Sequence, residues 1–437
     1  MINRYRLQKI LAPTAGLRKP IAAGFFGLII LLFGVGLSFL QYISPFLDGL
    51  RQSWDKVALR MVSANSLDQF NHVLGGICLV AGGYLTFLGI RNFQRRFYEV
   101  VNPDQKSDRM VNVFVRRQML TAGPRIVALG GGTGLSTLLR GLKQHSSNIT
   151  AIVTVTDDGG SSGRLSKEMG IIPPGDMRNC LVALADAEKL MTDLFQHRFR
   201  GAKGTLGGHS VGNLLIAGLV DQCDGDLERA LNMASEVLNI RGRVVPSTLD
   251  HVKLRAILED GSETTGETAI VQSGQRIRRI FLDPAGVTAF HDALVAIEEA
   301  DLIVIGPGSV YTSVIPNLLV PGISEAIHEA TAVKVYVCNV MTQQGESDSF
   351  TAAEHVAAIR ANVGHPMFDH VMVNVDRPSE TTVDKYRGYG QFVVEPDIDR
   401  IRAMGLKIVS GNFMNESDFV RHDPLKIARR LMDLLTR

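Results

Sequence analysis

The sequence predicts an α/β protein with a doubly wound, mostly parallel sheet and a small β excursion, preceded by a two-helix transmembrane hairpin. Three observations predict this class. Two long uncharged apolar runs precede Arg91, short apolar strands alternate with helical segments after Arg125, and polar glycine loops follow several of those strands. Continuous apolar strands separated by helices are typical of a parallel sheet that is covered on both faces.

Composition and charge exclude several classes of protein. The chain has 437 residues, a 45% apolar content typical of a globular protein and a formal net charge of +2. Residues 1–20 are basic without a single acid, so the rest of the chain has no basic excess and no nucleic-acid partner is expected. The four scattered cysteines predict neither a disulfide framework nor a zinc site. They are Cys78, Cys180, Cys223 and Cys338.

The N-terminal region predicts two membrane spans. Residues 21–40 are almost wholly apolar, and a second uncharged run covers residues 69–90. At a rise of about 1.5 Å per residue, each run is long enough to cross a bilayer core. The second run is rich in glycine, which permits close approach of helices in lipid. A signal peptide and two buried soluble helices are the competing interpretations, but the first run is too long for a signal peptide.

The positive charges predict the orientation of this anchor. Basic residues flank it on both sides, whereas those between the two runs are balanced by acids. We therefore expect a basic tail (1–20), a two-helix anchor (21–91), a basic juxtamembrane linker (92–123) and a main domain (124–437). Both termini and the main domain are expected on the cytoplasmic side of the inner or plasma membrane, with the anchor in contact with lipid.

The body is predicted to alternate strands and helices. The predicted parallel strands are residues 125–129, 149–155, 301–305, 333–337 and 369–375. Between the second and third of these strands, segments 252–258 and 268–272 and a turn at Asp260-Gly261 predict a β excursion. Helix starts are indicated by Asp283-Pro284, by the capping-box spacing that begins at Thr351, and by Asp423-Pro424.

The first motif is GGGTGLS at residues 130–136, between the first predicted strand and its helix. Glycines let the backbone approach a phosphate, the start of a helix offers free N–H groups, and Thr133 and Ser136 add hydroxyl groups. The spacing matches neither the dinucleotide fingerprint nor the P-loop. A phosphate-binding loop and a simple tight turn both remain open at this point.

The second motif, TVTDDGGSSGR at residues 154–164, ends the second strand. Its adjacent carboxylates, Asp157 and Asp158, lie where open α/β sheets bind ligands. They could hold Mg²⁺ through oxygen ligands, contact a ribose hydroxyl or orient an acceptor. The alternative is a turn rich in small polar residues.

Four further polar loops follow in the body. They are PPGDMRN (173–179), GGHSVGN (207–213), GPGSVYTS (306–313) and NVMTQQGE (339–346). Asp176 is either a helix cap or a catalytic acid, and His209 is either structural or an acid, base or phosphate donor. The third loop predicts a second anion cradle after a strand. No convincing Cys–His pairing points to a hydrolase.

In this order, the six motifs resemble those of the YvcK-type branch of the CofD-like superfamily, from Arg125 to the C-terminus. The resemblance implies a Rossmann-like fold. CofD-type 2-phospho-L-lactate transferases move a phospholactyl group from a guanosine diphosphate carrier to a deazaflavin, with Mg²⁺. YvcK-type gluconeogenesis factors are instead linked to gluconeogenic growth, cell shape and envelope synthesis, and are described as binding UDP-sugars.

The resemblance also implies roles for particular residues. Asp157 and Asp158 would lie at the metal or acceptor position, holding Mg²⁺ and acting as catalytic groups if the protein is an enzyme. Tyr386 and Arg421 would lie towards the uridine and its phosphates. The full set of expected ligand-binding residues is Gly131, Gly132, Thr133, Gly134, Ser136, Asn213, Gly308, Ser309, Tyr311, Tyr386 and Arg421.

Two functions are therefore expected. The first is a membrane-anchored regulator that binds a UDP-sugar such as UDP-N-acetylglucosamine, forms a homo-oligomer and works with envelope-synthesis proteins. The alternative is a CofD-like transferase of a phospholactyl-type group from a nucleotide diphosphate carrier. Such an enzyme needs a deep, aromatic-lined second pocket beside Asp157, and the aromatic content of only 6%, with the single Trp at position 54, favours the regulator.

Overall fold

The computed structural model describes residues 18–39, 48–101, 118–199, 206–416 and 420–436. It divides into two compact units, Met1–Arg116 and Arg117–Arg437, here called the N-terminal unit and the body. Most of the predicted basic tail, and residues 102–117 of the predicted linker, lie outside the described residues.

Helices make up the described part of the N-terminal unit: α1 (Arg18–Phe39), α2 (Asp48–Ala58) and α3 (Leu67–Val101), with one 3₁₀ turn before α3. Glycines allow α1 and α3 to approach until their backbones touch. A Cβ atom on Gly82 would lie 2.4 Å from the backbone nitrogen of Leu31, and one on Gly89 would lie 2.4 Å from Cα of Gly24. Small residues at such contacts are typical of helix pairs in membranes.

The two apolar helices differ in length. Within α3, Leu67–Gln94 is long and apolar enough to cross a membrane, whereas the apolar part of α1, Pro20–Val35, is shorter. Within the described residues, two packed helices occupy the positions of the predicted hairpin. Only one of them is long and apolar enough for a full span, so the transmembrane hairpin stays a prediction. Helix α2 connects to α3 through Trp54, whose Nε1 donates to Oδ1 of Asn71 at 2.9 Å.

Twelve strands form three sheets in the described body. They are β1 (Ile126–Gly130), β2 (Ile149–Val153), β3 (Arg243–Pro246), β4 (Lys253–Leu258), β5 (Glu263–Thr265), β6 (Ile277–Asp283), β7 (Leu302–Ile305), β8 (Val333–Val337), β9 (His370–Asn374), β10 (Lys407–Gly411), β11 (Met414–Glu416) and β12 (Val420–His422). The five predicted parallel strands are confirmed as β1, β2, β7, β8 and β9.

The main sheet has seven parallel strands in the order β10-β9-β8-β7-β1-β2-β3. Strand β1 lies inside the sheet, and β2 and β3 follow it towards one edge. After the excursion, β7 pairs with the other side of β1, and β8, β9 and β10 continue to the opposite edge. This is the predicted doubly wound topology, and its reversal point lies between β1 and β7. The alternate residues of β1 face two cores, with Val127 and Leu129 in one and Ile126 and Ala128 in the other.

Helices cover both faces of the sheet. They are α4 (Gly132–Leu142), α5 (Gly160–Met169), α6 (Gly175–Leu184), α7 (Glu188–Gln196), α8 (Val211–Gln222), α9 (Leu227–Leu238), α10 (Glu267–Gln272), α11 (His291–Glu298), α12 (Ile315–Leu318), α13 (Ile323–Glu329), α14 (Ala352–Val363), α15 (Glu380–Arg387), α16 (Ile398–Ala403) and α17 (Pro424–Leu435). A π-helical turn at Val310–Val314 precedes α12.

The predicted β excursion is present as an antiparallel sheet in the order β5-β4-β6. The prediction of β structure at residues 268–272 was wrong, because these residues belong to α10. Two features start this helix: Gly266 adopts φ +100°, and the carboxylate of Asp158 accepts the backbone N–H of Thr268 at 2.9 Å. The second feature comes from a distant part of the chain, so no local pattern indicated it.

Two of the three predicted helix caps are confirmed. The Thr351 hydroxyl accepts from the N–H of Glu354 at 3.3 Å, and Asp423 accepts from the first N–H groups of α17. Asp283-Pro284 was wrongly predicted to start a helix. Asp283 is held in the ladder of β6 opposite Lys253, and α11 begins later.

Candidate functional site

A cleft of about 1030 Å³ opens at the carboxyl ends of the parallel strands, where the strand order reverses. This is the position at which doubly wound sheets bind their ligands. Its lining comes from the first glycine loop, from the loops after β2, β7 and β8, from the excursion, and from the C-terminal segments. The lining residues are Gly132, Thr133, Asp157, Asp176, Glu267, Ser309, Ser313, Met341, Thr342, Gln343, Gln344, Lys385, Tyr386, Gly388, Tyr389, Gly390, Gln391, Val420 and Arg421.

The first glycine loop joins β1 to α4, which begins at Gly132. Its glycines permit contacts with other loops. A Cβ atom on Gly131 would lie 2.4 Å from Oδ2 of Asp176, and one on Gly134 would lie 2.3 Å from the carbonyl oxygen of Pro307. The Ser136 hydroxyl is buried and donates to a backbone carbonyl at 3.0 Å. Gly132 and Thr133 are therefore the predicted loop residues that reach the cleft.

The adjacent acids Asp157 and Asp158 have different surroundings. Asp157 lines the cleft, and its Oδ1 accepts the N–H of Gly159 at 2.9 Å. Burial raises the pKa of Asp157 above its usual range. Asp158 instead accepts both the N–H and the hydroxyl of Thr268, at 2.9 and 2.7 Å. Asp157 thus faces the ligand space, while Asp158 fastens the excursion to the main sheet.

Two more carboxyl groups, those of Asp176 and Glu267, line the cleft with Asp157, and a third, Glu346, is buried and bonded to the hydroxyl of Thr312. Burial is the main cause that raises the pKa of Asp176 to about 6, of Glu346 to about 7 and of Glu267 to about 9, and the charge of Asp157 raises the first and the last further. Like charges in one site cannot all ionise, so the cleft retains protons near neutral pH. Glu267 lies in the excursion outside every motif, and the sequence carried no signal for it.

The predicted Mg²⁺ site depends on the same acids. Carboxylate oxygens are ligands that Mg²⁺ accepts, so the donor chemistry of Asp157 and Asp158 fits this ion. Within the described ranges, however, no three His, Cys, Asp or Glu side chains are grouped so that they could hold a metal ion. Further ligands would have to come from water or from a phosphate, as is common for Mg²⁺. The metal-binding and catalytic roles of the two acids stay predictions.

A buried polar network lies beneath the acids. The guanidinium of Arg178, only 7% exposed, donates to the hydroxyl of Ser210 at 2.7 Å and to Oδ1 of Asn213 at 2.8 Å. Asn213 in turn donates to the hydroxyl of Ser161 at 3.1 Å, which lies 2.9 Å from Nδ1 of His209. Asn213, predicted to bind the ligand, is therefore placed behind the lining residues, together with His209.

The second glycine loop, after β7, contributes Ser309 to the lining. The Ser309 hydroxyl donates to Oε1 of Gln343 at 2.5 Å, and the N–H of Gly308 donates to Oδ1 of Asn339 at 3.2 Å. Tyr311 is buried in the core, where its hydroxyl donates to a backbone carbonyl at 3.2 Å. Burial raises the pKa of Tyr311 to about 12, so this hydroxyl stays protonated.

The opposite wall of the cleft comes from the C-terminal part of the chain. Tyr386 is buried, and its hydroxyl accepts the N–H of Val420 at 2.9 Å. This bond holds β12 next to α15 and brings Arg421, the next residue, into the lining. The structure therefore gathers Thr133, Asp157, Ser309, Tyr386 and Arg421 around one cleft. Their ligand-binding roles stay predictions.

A second cavity, here called the side pocket, has a volume of about 530 Å³ and lies between α5 and the excursion. Its lining residues are Val155, Thr156, Asp157, Asp158, Gly163, Ser166, Lys167, Pro173, His251, Val252, Lys253, Leu254, Thr265, Gly266, Asp283 and Pro284. Asp157 lines both cavities, and Gly266 of the side pocket directly precedes Glu267 of the cleft. A thin partition therefore separates the two.

The family assignment agrees with this geometry. The family model described as 2-phospho-L-lactate transferase CofD matches residues 126–414, from the first strand of the sheet to the start of β11. The chain belongs to the CofD family. The resemblance that the six motifs predicted is confirmed, and all the loops of the cleft but the segment that carries Arg421 lie within the matched range.

Several relatives of this CofD-family chain are gluconeogenesis factors by name. The putative gluconeogenesis factor of a Nostoc species is 47% identical over 365 residues, which are 83% of this chain and 79% of the relative. The gluconeogenesis factor of Bacillus subtilis is 49% identical over 314 residues, or 71% of this chain and 98% of the relative. The alignment with the Nostoc protein is longer than the body and therefore reaches into the N-terminal unit.

A solved structure has the same fold. The crystal structure of a UPF0052-family protein from Bacillus halodurans aligns with a TM-score of 0.68 and 48% identity, covering 71% of this CofD-family chain and 99% of the crystallised chain. That protein corresponds in length to the body. The α/β fold of the body is thus shared with an experimentally determined relative.

Proposed function

We propose that this CofD-family protein is a membrane-anchored regulator that binds a UDP-sugar such as UDP-N-acetylglucosamine and links carbon metabolism to cell shape and envelope synthesis. One observation carries the proposal. The glycine loop at Thr133 and the C-terminal pair Tyr386 and Arg421 line the same cleft, although they are far apart in sequence. The cleft, at about 1030 Å³, is large enough for a nucleotide sugar.

Each part of such a ligand has a chemical counterpart in the cleft. The N–H groups in the first turn of α4, apart from that of Gly132, which donates to Asp176, suit the diphosphate. The guanidinium of Arg421 would supply a charge-assisted hydrogen bond. The amide groups of Gln343 and Gln344 suit the base or the sugar. The carboxyl groups of Asp157 and Glu267 can accept hydrogen bonds from sugar hydroxyls. Mg²⁺, if it binds, would neutralise charge between the acids and the diphosphate.

The names of the relatives support a role in carbon metabolism. Proteins 42–49% identical to this chain are named gluconeogenesis factors in several bacteria. We extend that role to this chain, with envelope-synthesis proteins as partners and a homo-oligomeric state.

The N-terminal unit supports the membrane anchor. Large apolar side chains of α1 and α3 point outwards, including Phe25 at 66% and Val80 at 77% exposure, and water would penalise such a surface. Basic residues on both flanks favour an orientation with both termini in the cytoplasm. We propose that both helices enter the inner or plasma membrane as a two-span hairpin, with the shorter apolar part of α1 compensated by its close packing on α3.

The alternative is a CofD-like transferase, and one observation favours it. Asp157 lines both cavities, so a nucleotide carrier in the cleft and an acceptor in the side pocket would meet at its carboxylate. Against this, no Phe, Tyr or Trp is found among the described residues that line the side pocket. A deazaflavin ring would lack an aromatic stacking partner there, so the regulator is preferred.

Calorimetric titration of the purified full chain in detergent tests the proposal. UDP-N-acetylglucosamine and GDP are each titrated with and without Mg²⁺. The regulator predicts saturable binding with a preference for the uridine nucleotide and no turnover of the sugar nucleotide. A preference for GDP that Mg²⁺ strengthens would support the transferase, and absence of binding by both nucleotides would overturn the nucleotide assignment.

A pair of arginine variants locates the bound nucleotide. Arg421→Ala removes the cleft guanidinium and is expected to weaken UDP-N-acetylglucosamine binding about tenfold or more, because a charge-assisted bond to a phosphate is lost. Arg402→Ala, on exposed α16 and paired with Asp399, is the matched control and is expected to bind normally. Equal affinity of both variants and the wild type would exclude Arg421 from the binding site.

A further inference from the structure

We propose that the side pocket is a second ligand site, which takes a small phosphorylated polyol and communicates with the cleft. Three observations point to it: a cavity of about 530 Å³, two lysines from different elements in its lining, and a carboxylate that lines both cavities. Ligand pockets in proteins have volumes of about 300–1,000 Å³, so this cavity can enclose a sugar phosphate. The proposal does not rest on the function proposed for the cleft.

The two lysines provide an anion-binding end. Lys167 belongs to α5, and Lys253 begins β4. Lys253 stands opposite Asp283 in the strand register, yet no ion pair joins them, and within the described parts of the chain no ion pair engages Lys167. Two lysines in the lining of one pocket are suited to a phosphate, which accepts several charge-assisted hydrogen bonds.

The remaining polar groups favour hydroxyls over a second anionic group. Asp157, Asp158 and Asp283 line the same pocket. A carboxylate offers about four lone-pair sites, and the bonds from Gly159 and Thr268 use only some of those on the first two acids. A bare anion would be repelled by these carboxylates, whereas a polyol can donate its hydroxyl hydrogens to them. A phosphate at the lysines and hydroxyls at the acids describe a phosphorylated polyol.

The partition between the cavities provides the communication. Thr265 and Gly266 line the side pocket, whereas the next residue, Glu267, lines the cleft. Asp158 holds this turn through Thr268, and a Cβ atom on Gly266 would lie 2.3 Å from Oδ2 of Asp158. A ligand that forms hydrogen bonds with Asp157 or Asp158 would therefore shift the segment 265–268, which determines the position of Glu267. Coupling of this kind changes the affinity of both ligands by the same factor.

Titrations of the full chain in detergent test the site, with glucose 6-phosphate and glycerol 3-phosphate as probes and inorganic phosphate and glucose as comparisons. We expect saturable binding of at least one phosphorylated polyol, about tenfold tighter than inorganic phosphate, because the hydroxyls add hydrogen bonds to the acids. Saturating UDP-N-acetylglucosamine is expected to change the probe affinity about fivefold without abolishing binding. If that nucleotide does not bind, the probe titrations are still interpretable by themselves.

Lysine variants identify the cavity that the probe occupies. The double variant Lys167→Ala/Lys253→Ala is expected to weaken probe binding about tenfold or more while leaving nucleotide affinity in the absence of probe unchanged. Lys189→Ala, on the exposed side of α7, is the matched control.

Four outcomes would overturn the proposal. They are the absence of saturation by both probes at about 10 mM, full retention of probe binding in the double variant, complete displacement of the probe by the nucleotide, and equal affinity for inorganic phosphate. Complete displacement by the nucleotide would assign the probe to the cleft. Equal affinity for inorganic phosphate would mean that the pocket binds anions without recognising the polyol.

Discussion

The N-terminal unit and the body both depend on glycine, but for different kinds of close contact. In the N-terminal unit, Gly27, Gly82 and Gly89 let two apolar helices touch along their length. In the body, Gly131 and Gly134 let loops at the carboxyl ends of strands meet one another and the acid Asp176. The first arrangement joins uncharged surfaces, whereas the second concentrates charge and free N–H groups.

This difference shows what a missing side chain can accomplish. Between the helices, glycine increases the contact area of a surface that is apolar on its outer side as well, which suits a lipid environment. Among the loops, glycine determines how near polar groups come to one another, and that distance decides which of them are ionised. A glycine-rich sequence can therefore join two apolar helices or bring polar loops together, and the packing partners distinguish the two cases.

The largest expected effect comes from a matched pair of helical glycines in the body. Gly134→Ala in α4 places a Cβ atom 2.3 Å from the carbonyl oxygen of Pro307, whereas Gly218→Ala in α8 meets no atom within 4 Å. We expect the first change to lower the free energy of unfolding by about 3 kcal/mol and the second to raise it by about 0.5–1 kcal/mol. Thermal unfolding followed by far-UV circular dichroism measures both. Equal behaviour of the pair would mean that the two loops are not in contact.

A second pair tests the helix contact of the N-terminal unit. Both glycines lie in α3, but a Cβ atom on Gly82 would lie 2.4 Å from the backbone of Leu31, while one on Gly76 meets no atom within 4 Å. Gly82→Ala is expected to lower the free energy of unfolding by about 2 kcal/mol, whereas Gly76→Ala is expected to raise it by about 0.5 kcal/mol, as at Gly218. The only tryptophan of the chain, Trp54, lies in α2, so its fluorescence reports this unit alone. If Gly82→Ala left the midpoint of the unfolding transition of this unit unchanged, the packing of α1 on α3 would be contradicted.

The third prediction concerns the carboxyl group of Asp176, which lies against the glycine loop at Gly131. The pKa of Asp176 rises to about 6 in the folded protein from 3.8, so its contribution to stability is fully present below about pH 4 and is lost as the pH rises through 6. Asp176→Asn removes the buried charge, so its stabilising effect is expected to be about 2 kcal/mol larger at pH 8 than at pH 4. Denaturant unfolding at both pH values measures this, with exposed Asp193→Asn as the control. If Asp176→Asn stabilised the protein equally at both pH values, the carboxyl group of Asp176 would not carry a buried charge at pH 8.

Local chemistry explains which predictions from the sequence were confirmed. The strands of the main sheet are short apolar runs buried on both faces, and such runs carry their own signal. The caps at Thr351 and Asp423 bond to N–H groups within three residues of themselves. The predicted helix start at Asp283 was wrong, because Asp283 pairs with Lys253 in the excursion sheet. The predicted strand at residues 268–272 was wrong, because the carboxylate of Asp158 starts a helix there.

The sequence by itself determined the α/β class, the family and the glycine loops that line the cleft, because each of these depends on residues that are contiguous in the chain. Only the tertiary structure decided that Asp157 faces both cavities while its neighbour Asp158 fastens the excursion, and that Glu267 enters the cleft. The bond between Asp158 and Thr268 spans 110 residues, and neither partner shows in its own segment where the other will lie. Contacts between such distant residues form only when the folded sheet brings the loop after β2 next to the excursion.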